Sequence, residues 1–483
     1  MDAEQIRGLR PMLARFLKRF DDCFARKDTR AHLWVYVKGQ LSSLERKSVE
    51  PIALAASVPV RTLQEFLSQH RWEEDRARDR LQQIVAEEHA HPHSVGIIDE
   101  TSFVKQGDKT PGVQRQYLGT VGKQENGIVT VHLAYAADDF HCLLDGELFL
   151  PESWAQDPGR CREAKIPETM TYRPKTKVAL ELYDRARGNG IRFDWLTFDE
   201  WYGGKPEFLR ALEGRNQRFV GEVPRSFMGW INPPPVTQRP WRHRRGRGRK
   251  VPRIVAGGRP AQSVEHLFWW HPALKDQDWQ RWRVKDGEKG PMVWEVKHVP
   301  FYMQGPDGLP GGRWHLVVAR NVLDPTEMKF FVSNASPDTS VGAILLAGFS
   351  RWRVERCFED GKGEVGLDHY EGRRYPGLKR HLILSAISYL FLARTNKRLR
   401  GGKTRIDRMP SAYRGVGADP LVVARPTSVG ATARPHRRRD PASATTQRLS
   451  FPLPHQANSA KTAETRHQTD PHAQVQVEHE LAL

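Results

Sequence analysis

Arg351, Glu355 and Lys362 are the residues of this chain whose types and spacing best suit chemistry on a charged substrate. On a helix, at about 100° per residue, they fall at about 0°, 40° and 20°, so all three share one narrow stripe. Val354 and Phe358 lie beside that stripe and can pack the helix down. Carboxylates bind Mg²⁺, while Arg and Lys bind phosphate. The pattern predicts that these residues bind a phosphodiester and a metal ion together. The alternative is a solvated helix face with ordinary i,i+4 salt bridges.

Two aspartates extend this pattern. Asp99 follows the apolar run VGII and Asp199 follows WLTF, so each is expected to end a buried strand. Strand ends are where α/β folds place functional groups, and a carboxylate there is costly unless it is paired or binds metal. With Glu355 they would form an oxygen-only site for two Mg²⁺ or Mn²⁺ ions. Paired metal ions support in-line displacement at phosphorus, so Asp99, Asp199 and Glu355 are the candidate catalytic and metal-binding residues.

Three further carboxylates lie close to these in sequence. Glu100 and Glu200 are expected to form salt bridges or to support the site without binding the metals. Glu359 lies on the same side of the helix as Glu355 but precedes Asp360-Gly361, where the helix is expected to weaken. Glu355 is therefore preferred, since it also lies one turn from Arg351.

The elements that must position these residues follow an α/β order. Residues 91–224 predict three strands, then helix, strand, helix and strand around one central sheet. Residues 225–335 contain a triple proline and the β-like runs EHLFWW, VWEVKHVPFYM, RWHLVVARNV and KFFVSN, which predict a β-rich insertion. Residues 336–400 return to helices, including the apolar stretch 378–399. From 401 to 483 no helical or strand period survives, and the composition predicts a disordered tail.

Composition points to a polyanionic partner. The net charge is +19, and the electrostatic part of nucleic-acid binding needs such a surplus. A membrane surface is the rival, but no apolar run of about 18 residues is present. The four cysteines are scattered without CxxC spacing. A reducing, cytoplasmic protein that faces nucleic acid is therefore expected, with no membrane association.

Two segments could supply DNA contacts. Residues 1–90 read as helical, and 51–72 have helix-turn-helix spacing in which Arg61 and Gln64 would face outward to the major groove. Plain packing of two short helices is the alternative. The segment 241–253 carries seven Arg or Lys interleaved with glycine, which favours a flexible contact to the DNA backbone over a merely solvated run. The residues proposed for that contact are Arg244, Arg245, Arg247 and Arg249.

Three blocks of this sequence resemble a known family. They are IIDETSFVKQGDKTPGVQRQYLGTVGKQENG (97–127), LTFDEWYG (196–203) and RWRVERCFEDGKGEVGLDHYEG (351–372). Over about 30–400 the chain resembles bacterial insertion-sequence transposases of the DDE type, which have an RNase-H-like core interrupted by a β-strand insertion. The third block is similar to the family's Tyr-Arg-Glu-Lys signature, with Arg351, Glu355 and Lys362 in three places and Gly348 in the Tyr place.

The resemblance implies a fold, a reaction and partners. The fold would be α/β, an RNase-H-like mixed sheet flanked by helices, with a helical N-terminal domain. Asp99, Asp199 and Glu355 would bind two Mg²⁺ or Mn²⁺ ions, while Arg351 and Lys362 would contact DNA phosphates. The substrates would be double-stranded terminal inverted repeats and target DNA, handled by a homodimer in a synaptic complex at the nucleoid. A metal nuclease without strand transfer, and a decayed or repurposed DNA-binding protein, are the alternatives.

Overall fold

A computed structural model describes residues 3–238, 251–287 and 290–400. Within these ranges the chain is a mixed α/β structure with one sheet of twelve strands and a separate pair of short strands. The predicted tail from 401 and the arginines at 244–249 lie outside the described residues. Among the described helices, none is long and apolar enough to cross a membrane.

The strands carry labels in chain order. They are β1 (Val95–Val104), β2 (Gln114–Leu118), β3 (Lys123–Ala137), β4 (Phe140–Leu148), β5 (Trp195–Phe198), β6 (Phe219–Val223), β7 (Met228–Trp230), β8 (Val236–Thr237), β9 (Arg253–Ile254), β10 (Gln262–Ser263), β11 (Gln280–Gly287), β12 (Gly290–Gln304), β13 (Pro310–Asn321) and β14 (Met328–Ser333).

The helices are labelled in the same way. They are α1 (Ala3–Lys18), α2 (Lys27–Gln40), α3 (Val49–Ala55), α4 (Val60–Ser68), α5 (Glu74–Glu88), α6 (Glu152–Ala155), α7 (Pro158–Glu163), α8 (Lys175–Gly188), α9 (Glu200–Gly203), α10 (Pro206–Glu213), α11 (Val264–Trp270), α12 (Pro272–Lys275), α13 (Val341–Phe349), α14 (Trp352–Val365) and α15 (Tyr375–Arg400).

The sheet is mixed, as the RNase-H-like prediction requires. Its core runs β4-β3-β1-β5-β6, in which β1 pairs antiparallel with β3 and parallel with β5, and β5 pairs parallel with β6. Beyond β6 the sheet continues through β14, β13, β12, β7 and β10 in antiparallel pairs. The β-rich segment therefore prolongs the core sheet, because β14 forms its ladder directly with β6.

Two local predictions were wrong. The run EHLFWW is the helix α11 and not a strand: Ser263 caps it by accepting a hydrogen bond from the His266 N–H, and its inward residues Val264, Leu267 and Phe268 follow helical spacing. The strand β4 was missed because Asp145 interrupts its apolar pattern. That carboxylate is buried and pairs with Arg78 of α5 at 3.2 Å.

The N-terminal helices pack against the C-terminal helix α15, which contacts α1, α2, α4 and α5. Leu63, Phe66 and Leu67 of α4 are buried, as the helix-turn-helix spacing predicted. The Tyr36 hydroxyl and His381 Nδ1 form a buried hydrogen bond of 2.9 Å across this interface. The first and last described helices thus share one core.

Candidate active site

The two aspartates are brought side by side by the register of β1 and β5. Ile98 pairs with Phe198 in this parallel ladder, so Asp99 and Asp199 are the next residues on the two strands. Asp199 does end its strand. Asp99 does not: it lies in the middle of β1, which continues to Val104 because β3 still pairs with it there. The site is therefore a notch beside β1 where its parallel neighbour β5 stops.

Asp199 turns from strand to helix. It is the N-cap residue of α9, and its Oδ1 accepts a hydrogen bond of 3.2 Å from the Tyr202 N–H. Glycine is needed at 203, because a Cβ there would clash with the carbonyl oxygen of Glu222. The sequence DEWYG thus holds one Asp199 oxygen in the cap and keeps the short helix against β6.

Asp99 is a buried carboxylate under electrostatic stress. Its Oδ1 accepts from the Glu100 N–H at 2.8 Å. Burial first, and then the neighbouring Asp199, raise the pKa of Asp99 to about 7, against the opposing effect of Arg351. Two carboxylates that repel each other at a buried point are a typical place for a bound cation.

Arg351 joins Asp99 to Glu355. Its Nη1 donates to Asp99 Oδ2 at 2.9 Å, and its Nη2 donates to Glu355 Oε1 at 2.6 Å. Burial opposes the charge of Arg351, but Asp99, Glu355 and Asp199 together raise its pKa. The stripe predicted on this helix therefore does face β1, and the guanidinium lies between two of the three proposed metal-binding carboxylates.

On α14, Glu355 and Glu359 differ in the residues with which they pair. Val354 and Phe358 are buried as predicted. Glu359 is 72% exposed and pairs with Arg356 at 3.0 Å, so it takes no part in the Asp99 network. The predicted weakening at Asp360-Gly361 was wrong, since the helix continues to Val365.

Lys362 lies further along α14, and its side chain reaches β1. Its Nζ donates to the Thr120 hydroxyl at 3.2 Å and to the Ser102 carbonyl at 3.5 Å, and it sits 5.6 Å from the ring of Phe103. Burial lowers the pKa of Lys362. Arg351 and Lys362 thus lie along β1 as two cations. They contact Asp99 and Ser102, which are three residues apart on that strand.

Gly348 takes the Tyr place of the signature, at a position that is packed against the sheet. Gly348 is a buried residue of α13, and a Cβ there would contact Val220 at 3.4 Å and Phe331 at 3.5 Å. A larger side chain at this position would press into the sheet.

Sequence reasoning assigned no role to Tyr202, Trp201 or Lys175. Tyr202 is fully buried near Glu100, Asp99 and Asp199, and its hydroxyl has no hydrogen-bond partner in the part of the chain that the structure describes. Lys175 pairs with Glu100 at 2.7 Å and lies 5.0 Å from the ring of Trp201. Glu100 points to the α8 face of the sheet and Asp99 to the α14 face, as strand alternation requires. The block LTFDEWYG was the available signal, since these aromatic residues follow Asp199 directly.

The predicted DNA contacts of α4 lie on its outer face. Arg61 is 85% exposed and pairs only with Glu65 of its own helix among its salt bridges to described residues, at 2.8 Å. Gln64 is exposed as well. Whether they contact DNA remains a prediction, and so does the role of the arginines at 244–249.

The residues at the notch fit a divalent cation by their chemistry. Asp99, Asp199 and Glu355 offer only oxygen donors, which suits Mg²⁺ or Mn²⁺. Across the part of the chain that the structure describes, no three His, Cys, Asp or Glu side chains are already arranged to hold a metal ion. At the notch the carboxylates are not arranged around a metal position because the Arg351 guanidinium lies between Asp99 and Glu355. The convergence of the three carboxylates on shared metal ions stays a prediction.

Paired aspartates at a notch of an α/β sheet, with two cations from the start and the body of α14 along β1, are an arrangement suited to an enzyme that acts on a phosphodiester. A family model described as DDE superfamily endonuclease matches residues 19–291, which include Asp99 and Asp199 and end before Glu355. The probable transposase for insertion sequence element IS701 from Microchaete diplosiphon is 31% identical over 352 residues, 71% of this chain and 76% of that protein. The chain therefore belongs to the DDE superfamily endonucleases, among the insertion-sequence transposases.

Membership carries two coarse statements about chemistry. The enzyme depends on a divalent metal ion, and its substrate is DNA. Among solved structures, the NurA nuclease from Sulfolobus solfataricus matches with 13% identity and a TM-score of 0.21, over 59% of this chain and 90% of that one. A likeness that weak carries no argument.

Proposed function

We propose that this chain cuts DNA at the terminal inverted repeats of an insertion sequence and joins the freed 3′-hydroxyl to target DNA. Water is the first nucleophile and the DNA 3′-hydroxyl is the second. Asp99, Asp199 and Glu355 would hold the metal ions, for which we propose two Mg²⁺ ions. The observation that carries this assignment is the Arg351 bridge, which ties Glu355 to Asp99 beside Asp199.

The chain's own residues position the DNA. Bound metal supplies Lewis-acid stabilisation of charge that develops on the phosphate oxygens. Arg351 neutralises Asp99 and Glu355 before substrate arrives, and it can turn one N–H pair to a phosphate oxygen when those carboxylates gain another cation. Lys362, further along β1, holds the next phosphate as a point charge.

The larger assembly follows from the reaction. Joining two ends of one element requires two active sites, so the working form is a homodimer in a synaptic complex with both terminal repeats. Arg61 and Gln64 of α4 would contact the repeat, and the arginines at 244–249 would contact its backbone. The site of action is then the DNA of the bacterial nucleoid.

Asp199→Asn tests the assignment. The variant should lose cleavage and strand transfer, while its affinity for a terminal-repeat duplex stays within a few-fold, because Asp199 binds metal and not DNA. Single-turnover assays in Mg²⁺ measure both steps. The matched control is Asp194→Asn, the same change just before the other end of β5, where the carboxylate pairs with Arg218. That control should keep cleavage.

Other outcomes select the alternatives. If the unmodified chain cuts the duplex but never joins it to target DNA, it is a metal nuclease without strand transfer. If it binds and does neither, it is a DNA-binding protein. An Asp199→Asn variant that still cuts would remove Asp199 from the site.

A further inference from the structure

A cationic cavity of about 440 Å³ lies away from the notch, between the end of α1 and the end of α15. Among the described residues that line it, five are cations from the two helix ends, and one is an acid, Glu88. The lining cations are Arg15, Arg19, Arg394, Lys397 and Arg398. Like charges gathered around one hollow repel one another unless an anion shares it.

Acidic groups balance only part of this charge. Glu88 pairs with both Arg19 and Arg394, and Glu87 pairs with Arg19. Arg15, Lys397 and Arg398 form no salt bridge with any residue in the described ranges. Even with both glutamates counted, the cavity keeps a surplus of three positive charges (five cations less two acids).

Uncharged polar atoms at the cavity also have no partner. Thr395 is 7% exposed, and its hydroxyl makes no hydrogen bond to any residue that the structure describes. Both ring nitrogens of His89 are buried, and neither has a hydrogen-bond partner within the described ranges. The His89 ring stacks on Phe140 with 3.8 Å between centroids, which fixes its plane. A buried donor without a partner is costly, and a ligand with acceptor oxygens would satisfy the Thr395 hydroxyl and the His89 N–H.

The protonation state of His89 allows the ring to donate a hydrogen bond to an anion. Burial first, and then Lys397 and Arg394, lower its pKa to about 4, so the ring is neutral and carries one N–H. A phosphate oxygen can accept from that N–H and from the Thr395 hydroxyl, while Lys397 and Arg398 supply charge.

We propose that this cavity is a second DNA-backbone site, which holds a phosphodiester of the duplex away from the catalytic notch. It rests on DNA being the substrate and does not depend on which residues cut. A DNA backbone is favoured over a small phosphorylated ligand because cations from two helix ends line an open groove edge, and three of them are exposed in the free chain. The residues that specify it are His89, Thr395, Lys397 and Arg398.

The test is equilibrium binding of the full chain to a mixed-sequence duplex over a range of salt, in EDTA. Lys397→Gln with Arg398→Gln should weaken binding and reduce the log–log salt slope by roughly 2, since each lost phosphate contact removes about 0.9. Thr395→Val, which keeps the shape and removes the hydroxyl, should weaken binding without changing the slope. The control is Arg26→Gln with Lys27→Gln, the same charge change on exposed residues at the start of α2.

Each result decides the question. Equal slopes for the cavity variant and the control would overturn the proposal, and so would a Thr395→Val protein with unchanged affinity. Tighter binding of a mononucleotide than of duplex, lost in the cavity variant, would assign the cavity to a small phosphorylated ligand instead. Because no cleavage is measured, failure here is distinct from failure of the Asp199→Asn test.

Discussion

Glu355 and Glu359 lie one turn apart on α14, and only their partners distinguish them. Glu355 shares Arg351 with Asp99, whereas Glu359 pairs with Arg356 on the solvent side. We expect Glu355→Gln to lower the cleavage rate by at least a hundredfold and Glu359→Gln to leave it within about threefold, since removal of a charged catalytic contact costs several kcal/mol. Single-turnover cleavage of one terminal-repeat duplex measures both. Loss of cleavage in Glu359→Gln alone would reverse the assignment.

Asp99 gives the site a pH signature. Its folded pKa is about 7, raised above the ordinary 3.8 by burial and by Asp199. A raised pKa favours the folded state at low pH, and this contribution is lost as the pH rises from about 4 to about 7. Without metal, Asp99→Asn should therefore melt above the unmodified chain at about pH 8 and match it at about pH 4.

Thermal melts in EDTA at the two pH values provide the measurement. Asp184→Asn serves as the comparison, because that carboxylate is half exposed, pairs with Arg215 and should shift melting little at either pH. A melting difference for Asp99→Asn that does not depend on pH would show that the pKa of Asp99 is not raised in the folded protein.

For single residues, the sequence predicted positions on one helix better than contacts with residues of other elements. Helical spacing was enough to place Arg351, Val354 and Phe358 correctly, because one helix fixes their relative angles. Spacing could not show that Arg351 would lie between Asp99 and Glu355, since that contact joins a strand to a helix 252 residues later in the chain. The unpaired Tyr202 hydroxyl was equally invisible, because it depends on three elements that meet.

The element α4 depends on a residue far away in sequence. Arg380 of α15 donates to the carbonyls of Phe66, Leu67 and His70 and pairs with Glu74. Its guanidinium also lies 4.8 Å from the ring of Trp72. One buried arginine thus donates to the carbonyls of Leu67 and His70 at and just past the end of α4, and it shares the Phe66 carbonyl with the Trp72 indole N–H.

Arg380→Ala should accordingly destabilise the fold by about 3 kcal/mol, since it removes the Arg380 donor from the carbonyls of Leu67 and His70 and the nearer of the two cations at Glu74. Urea unfolding followed by tryptophan fluorescence measures the change. Lys379→Ala is the neighbouring control, because its partner Asp75 is half exposed and can be hydrated when the lysine is removed, so this variant should cost less than about 1 kcal/mol. Equal costs for the two variants would show that Arg380 is not the cap.

Elements were predicted well where their period was clean and poorly where a buried charge or a cap intervened. The spacing of Leu63, Phe66 and Leu67 gave α4 correctly. The run EHLFWW has aromatic residues that favour strands, yet the Ser263 cap and the inward Val264 and Leu267 make it helical. The strand β4 was hidden because Asp145 is acceptable in its core only beside Arg78, a partner that sequence alone does not reveal.

On the scale of the whole molecule, α15 closes the fold. It contacts the N-terminal helices α1, α2, α4 and α5 and also the strand β4. Leu384, Ile387 and Leu390 on this helix are fully buried. The first helices therefore need α15, which is far away in sequence, to complete their core.

Truncation separates what belongs to this core from what does not. A chain that ends after residue 405 keeps α15, and because residues 401–483 show no apolar period in sequence, we expect its melting temperature to match that of the full chain. A chain that ends at residue 374 loses α15 and leaves its apolar partners on α1, α2 and α4 exposed, so it should fail to give a cooperative melt. Differential scanning calorimetry compares the three. A large drop in melting temperature for the longer truncation would show that residues beyond 405 pack against the fold, and a cooperative melt for the shorter one would show that the N-terminal helices fold without α15.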